Sequence, residues 1–151
     1  MIRINIAAVG KLKENYWVEA FAEYEKRLSR FCSFSVCEIP EAAGSIEVQK
    51  AAEGKEILKK IKGAAILLDI GGEPLSSEGF AQLIDQSAAR GNSEFTFIIG
   101  GSHGVSDEVK NAASKRISFG NITYPHRLIR IILAEQIYRA FAIINNTGYH
   151  K

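Results

Sequence analysis

Three stretches of this chain carry residue types suited to chemistry. The first is EFTFIIGGSHGVSDEV, residues 94–109. Phe95, Thr96, Phe97, Ile98 and Ile99 form an apolar, aromatic and β-branched run that reads as a buried strand. Gly100, Gly101 and Gly104 follow it, and Ser106 before Asp107 and Glu108 has the pattern of a helix N-cap with acids in the first turn. A strand, a glycine loop and a helix start form the place where an open α/β sheet presents a ligand. Glycines there let backbone N–H groups come close to it. The spacing is neither the G-x-G-x-x-G of a dinucleotide loop nor a P-loop, since no Gly-Lys-Ser/Thr follows. It does match G-x-S-x-G through Gly100, Ser102 and Gly104. Three uses therefore stand open: a plain strand-to-helix turn, a ligand loop, or a serine nucleophile. The last needs an acid and a histidine, which Asp107 with His126 or His150 would supply. Asp107 lies only five residues from Ser102, a poor place from which to orient a distant imidazole.

The second stretch is FGNITYPHR, residues 119–127, where Gly120 and Pro125 rule out regular structure. The third is the segment from Glu135 and Arg139, spaced i, i+4 as an ion pair would be, to the tail NNTGYHK. Lys55, Lys59, Lys60 and Lys62 make a basic run that reads as a solvated helix face or, alternatively, an RNA contact. Cys32 and Cys37 are five apart on a strand-like segment and point to opposite faces, so buried free thiols are expected. No Cys/His cluster has metal-ligand spacing.

The elements that must position these groups alternate along the chain. Ile2, Ile4 and Ile6 open a strand that ends at Gly10. Trp17, Phe21, Tyr24 and Leu28 recur at helical spacing between Asn15 and Arg30. A strand follows through Phe34, Val36 and Ile39. A helix is predicted over Ile46–Lys62, weakened by Gly54. AAILLDI, residues 64–70, is the near-continuous apolar run of a parallel strand, and Gly71, Gly72 and Pro74 are expected to turn the chain. Ser76 or Ser77 then caps a helix running to Arg90. After the strand at Phe95–Ile99 come a helix over Val105–Ser114, a short strand at Ile117–Phe119, and a last helix over His126–Ile144 that is apolar nearly all round. Both irregular loops follow strands, so they should share one edge of the sheet. An all-round apolar helix in so small a domain points to cover by a partner subunit. The order β-α-β-α-β-α-β-α-β-α predicts a single α/β domain over 1–151, its largely parallel sheet covered on both faces.

Composition agrees with one globular domain: 151 residues, 46% hydrophobic, formal net charge +2. That charge is too small to establish a nucleic-acid partner by itself. No run approaches membrane-spanning length, and MIRINIAAVG lacks the features of a signal peptide, so a cytoplasmic protein is expected.

The segments AVGKLKENYW, LDIGGEPLSSEGFA, FIIGGSHG, SFGNITYPH, EQIYRAF and the terminal YHK, in this order across essentially the whole chain, closely resemble the RlmH (YbeA) family. These are the SPOUT-class methyltransferases of a large-subunit ribosomal pseudouridine. The resemblance implies a SPOUT-type α/β fold with a C-terminal trefoil knot, which general folding rules disfavour. It implies a homodimer, S-adenosyl-L-methionine as methyl donor and no metal. The acceptor it implies is N3 of a pseudouridine in helix 69 of 23S rRNA, on the assembled ribosome. Carried over by motif, the cofactor pocket would use Leu68 at the end of its strand, Gly100, and Phe119, Gly120, Asn121, Ile122, Thr123 and Tyr124. No cationic side chain would face the sulfonium. Methylating a ring nitrogen requires removal of an imide proton, for which a base near neutrality suits, and histidine is the usual choice. His150 and Tyr149 of the YHK tail are the expected substrate-side catalytic residues, with Arg139 and His126 positioning the base or its phosphate. Besides the small serine hydrolase built on Ser102, the alternative is a catalytically inactive ribosome-binding protein of the same fold.

Overall fold

A computed structural model describes all residues, 1–151. The elements alternate strictly: β1 (Arg3–Val9), α1 (Asn15–Leu28), β2 (Ser33–Ile39), α2 (Ile46–Lys60), β3 (Ala64–Pro74), α3 (Ser77–Ala89), β4 (Glu94–Ile99), α4 (Asp107–Ala112), β5 (Lys115–Ser118) and α5 (His126–Ile144). The strands form one sheet in the order β2-β1-β4-β3-β5. Every neighbouring pair is parallel. Helices α1, α3 and α5 cover one face: Ile4, Ile6 and Ala8 of β1 pack there with Phe21, Phe80, Ile137 and Phe141. Helices α2 and α4 cover the other, where Val9, Leu67 and Ile98 meet Ile57 and Val109. Alternate residues of each strand thus feed two separate cores, which is why the central strands are apolar throughout.

Serine hydroxyls start three helices. Ser45 accepts from the Val48 N–H, Ser76 from Gly79 and Ser106 from Val109. Some sequence-based boundaries shift. Helix α1 stops at Leu28 and α2 at Lys60, because Ile61 turns to extended backbone. The chain does not turn at Gly71–Pro74. Instead β3 continues through a bulge in which both Leu68 and Glu73 register with Ile117. Gly72 makes this possible, since a Cβ there would sit 2.7 Å from the Arg116 carbonyl carbon. Leu68 is therefore at the bulge within β3, short of the strand's end. Helix α4 begins at Asp107, and β5 lies two residues earlier at its start than its apolar residues suggest, because Lys115 and Arg116 join the ladder. Cys32 and Cys37 are both free; Cys32 is buried, which pushes its thiol up to about 12, whereas Cys37 is only half-buried. No helix is long and apolar enough to cross a membrane.

Phe119–Pro125 carries the chain from the edge strand β5 back past β3 and β4 to the end of β1. Arg130 fixes the arrival. Its side chain is 2% exposed; Nη1 donates to Glu38 Oε2 at 2.6 Å and Nη2 to the Gly10 carbonyl at 2.9 Å. The same Glu38 oxygen accepts the Leu12 N–H at 3.0 Å. Partial burial pushes the Glu38 carboxyl up, but the Leu12 N–H and then the hydrogen bond and charge of Arg130 outweigh it and hold it below its usual 4.5. Glu38→Gln leaves a buried guanidinium without its counter-charge; because Glu38 itself is 37% exposed, the cost should be about 1–2 kcal/mol, below that of breaking a fully buried pair. The cost is read as a lower denaturation midpoint at neutral pH. Because the folded carboxyl is depressed, the contribution is complete above the unfolded value and is lost as pH falls through the folded one. The gap between wild type and variant should accordingly close below pH 4.5.

Candidate functional site

At the C-terminal edge of β3, β4 and β5 the two irregular loops enclose a cavity of about 330 Å³. That is within the range of small-molecule sites. Leu67, Leu68, Ile99, Ile117 and Phe119 give it an apolar floor. The glycine loop, Gly100–Val105, forms one wall, and Gly120 with Ile122–Tyr124 forms the other. Of the residues expected to hold a cofactor, Leu68, Gly100, Phe119, Gly120, Ile122, Thr123 and Tyr124 line this cavity; Asn121 does not, and stands exposed beside it. The β3 bulge is what delivers Asp69 and Ile70 to the rim as well.

The glycine loop is shaped by close approach. Gly104 has φ +84°, and its N–H returns to the Gly101 carbonyl at 3.0 Å, closing a tight turn. Beneath it lies Glu53 of α2, buried, with Oε2 accepting the Ala42 N–H at 3.0 Å. A Cβ on Gly101 would stand 2.9 Å from Glu53 Oε1. Gly54, read in sequence as a weakness of its helix, lets α2 close on α4. A Cβ there would stand 2.4 Å from Ser106 Oγ and 3.3 Å from Val109 Cγ2. Two residues that sequence reasoning did not place here, Lys50 and Lys110, also line the cavity. Their only sequence signal is spacing: Lys50 lies one turn before Gly54, and Lys110 one turn after Ser106.

The four residues expected to act on the substrate are divided. His126 lines the cavity at the start of α5, with Nε2 3.9 Å from Glu41 Oε1. Arg139, Tyr149 and His150 form a separate cluster about 20 Å further along the helix axis. There Arg139 bonds Glu135 at 2.7 Å, and its Nη1 lies 3.0 Å from His150 Nδ1. The second imidazole nitrogen, Nε2, lies 2.7 Å from Glu78 Oε1 at the start of α3. A guanidinium can only donate and a carboxylate only accept, so Nδ1 carries the lone pair and Nε2 the hydrogen. The hydrogen bond from His150 in turn holds the Glu78 carboxyl below its ordinary value. Tyr149 stacks edge-on against Tyr138 at 4.8 Å, with Arg139 over its ring at 4.9 Å. Burial, then the Glu135 carboxylate, push its phenol up, so it remains a proton donor at neutral pH. Glu135 was legible as a helix neighbour of Arg139, whereas Glu78, 72 residues from His150, left no local signal.

Ser102 lines the cavity but makes no hydrogen bond to a histidine, and Asp107 sits in the first turn of α4. The nucleophile–base contact of a serine hydrolase is not assembled. No group of three or more His, Cys, Asp or Glu side chains is placed to hold a metal ion. The cavity combines an apolar floor with polar and charged side chains on its walls, so it suits a small ligand with both apolar and polar parts. Gly54→Ala should force α2 and α4 apart and lower stability by about 1–3 kcal/mol, measured by denaturant titration. An unchanged midpoint would show that the two helices separate at no cost.

The fold is similar to that of "a probable methylase family protein from Haemophilus influenzae Rd KW20", with a TM-score of 0.59 at 12% identity over 98% of this chain and 70% of that one. A looser similarity, TM-score 0.47 at 8% identity over 96% of this chain and 61% of the other, is to the SpoU methyltransferase AviRb from Streptomyces viridochromogenes, solved in complex with the cofactor AdoMet. The family model described as "Predicted SPOUT methyltransferase" matches residues 2–150, and the chain belongs to that family.

Proposed function

We propose that this protein is an S-adenosyl-L-methionine-dependent RNA methyltransferase acting on N3 of a pseudouridine in helix 69 of 23S rRNA, in the assembled ribosome. The observation that carries this reading is the cavity at the sheet edge, in a chain of the SPOUT family. Its residues fit a nucleoside cofactor. The floor is apolar, two loops supply backbone donors and acceptors, and at Gly104 and Gly120 a Cβ would stand in open space along the wall. Leu68, Gly100, Phe119, Gly120 and Ile122–Tyr124 would hold it. When bound, S-adenosylmethionine supplies a methyl group already activated on a sulfonium.

The chain's own task is then to orient the acceptor base and to take its imide proton. His150 is the proposed base, and its Nδ1 takes the proton once Arg139 releases it to reach the substrate. Glu78 and Arg139 fix its tautomer and its ring plane. Tyr149, protonated and wedged between Arg139 and Tyr138, would orient the acceptor base. Because the tail cluster lies far along α5 from the subunit's own cavity, a homodimer that brings one subunit's tail to the other's cavity would unite the two parts. Ile70 and Ile122, 54% and 70% exposed at the cavity rim, are apolar surface that such a dimer would cover. A C-terminal trefoil knot is part of the same reading. A cytoplasmic location completes the proposal.

Removal of Tyr149–Lys151 tests it. Methylation of ribosomes should fall by about 10²-fold or more, as loss of a general base does. Calorimetric binding of S-adenosylhomocysteine should be unchanged. Full activity in the truncated protein would overturn the tail assignment. Cofactor binding without any methylation by the intact protein would favour the inactive ribosome-binding alternative.

A further inference from the structure

Lys50 and Lys110 are the two lysines of the cavity wall, and the proposed chemistry gives them no part. They stand on different helices, brought together by one contact. Gly54 and Ser106 meet too closely for a side chain at residue 54, so α2 lies against the start of α4. Lys50 precedes Gly54 by one helical turn and Lys110 follows Ser106 by one. Both are half-buried and both face the cavity. Neither ammonium has a carboxylate within ion-pair distance, although Glu47, Asp107 and Glu108 lie on the same two helices. The buried Glu53 of α2 is directed at the Ala42 N–H and the back of Gly101, and Asp69 of the cavity lining is paired with Arg116 at 3.4 Å. Two half-buried cations on the wall of one cavity, neither neutralised by a carboxylate, leave positive charge there for an anionic group of a ligand to meet.

We infer that Lys50 and Lys110 form an anion-binding pair at the glycine-loop side of the cavity, taking the oxygens of a ligand's carboxylate or phosphate. The inference rests on the cavity being the cofactor site. Two sources of that chemistry reach such a position: the carboxylate of the cofactor's methionine arm, and a backbone phosphate of the acceptor RNA. They make different demands. A carboxylate contact strengthens cofactor binding and is blind to RNA. A phosphate contact leaves cofactor affinity alone and adds to the salt dependence of ribosome binding.

The test compares wild type, Lys50→Ala/Lys110→Ala and the charge-keeping Lys50→Arg/Lys110→Arg. Each is titrated calorimetrically with S-adenosylhomocysteine and with 5′-methylthioadenosine, which lacks the carboxylate, and by filter binding with 70S ribosomes over a range of salt. If the pair takes the carboxylate, the alanine variant binds S-adenosylhomocysteine about tenfold or more weakly and 5′-methylthioadenosine as wild type does. If it takes a phosphate, both small ligands bind normally, ribosome affinity falls, and the slope of log K against log salt drops by about 1 to 2. Unchanged binding in every arm overturns the inference. Loss of 5′-methylthioadenosine binding as well marks damage to the cavity. The arginine variant then decides, because restored binding supports a charge role and failure to restore it overturns one. A wild-type protein that binds neither small ligand defeats the proposed function instead, and the ribosome arm still tests the lysines.

Discussion

Arg130 is the only cation sunk in the core of this molecule, and the path of the C-terminal third of the chain depends on it. Taking a guanidinium out of water costs several kcal/mol unless its donors are met. Here a carboxylate from β2 and the carbonyl of Gly10, just past β1, meet two sides of the fork. The pairing fixes where α5 begins. The residues between β5 and α5 must then span the sheet edge from its outer strand to β1. That span is the second wall of the cavity, so the cavity's shape follows from a salt bridge whose residues do not line it.

The first wall is made in the opposite way, by leaving side chains out. Gly54 lets α2 approach α4, and Gly101 lies on the carboxylate of Glu53, so the glycine loop rests on a helix surface with no slack beneath it. Glu53 keeps a backbone partner at Ala42 and thereby ties the loop after β2 to the same assembly. A parallel sheet places all strand-to-helix loops on one edge. Two of them are rigidified here by unlike means, one by a buried charge and one by close backbone packing.

Helix α5 joins two chemically different regions. Its first residue, His126, faces the cavity; its last turns carry Arg139, which with Glu135, Glu78 and the tail holds an imidazole in one tautomer. Within one subunit these regions remain apart, since a straight helix keeps residues 13 positions apart about 20 Å from one another. The polar cluster orders a chain terminus that would otherwise fray. It uses aromatic stacking from Tyr138 and Tyr149 together with charge-assisted hydrogen bonds.

By itself the sequence determined the order of the elements, the parallel character of the sheet, the N-cap at Ser106, the bounds of α5 and the two loops at the ligand edge. Each of these is written in local periodicity, in glycine and proline placement, or in short apolar runs, which act over a few residues. The resemblance of its motifs added a cofactor site, and the structure gathers most of those residues around one cavity. Tertiary structure alone decided the rest. The β3 bulge arose because Gly72 can lie against β5, where local reading saw only a turn. Lys50 and Lys110 joined the cavity because two helices close on a glycine. Glu78 met His150, and Glu38 met Arg130, across 72 and 92 residues of chain. Such pairings depend on how the layers stack and on which buried charges must find partners, and neither leaves a periodic trace along the chain.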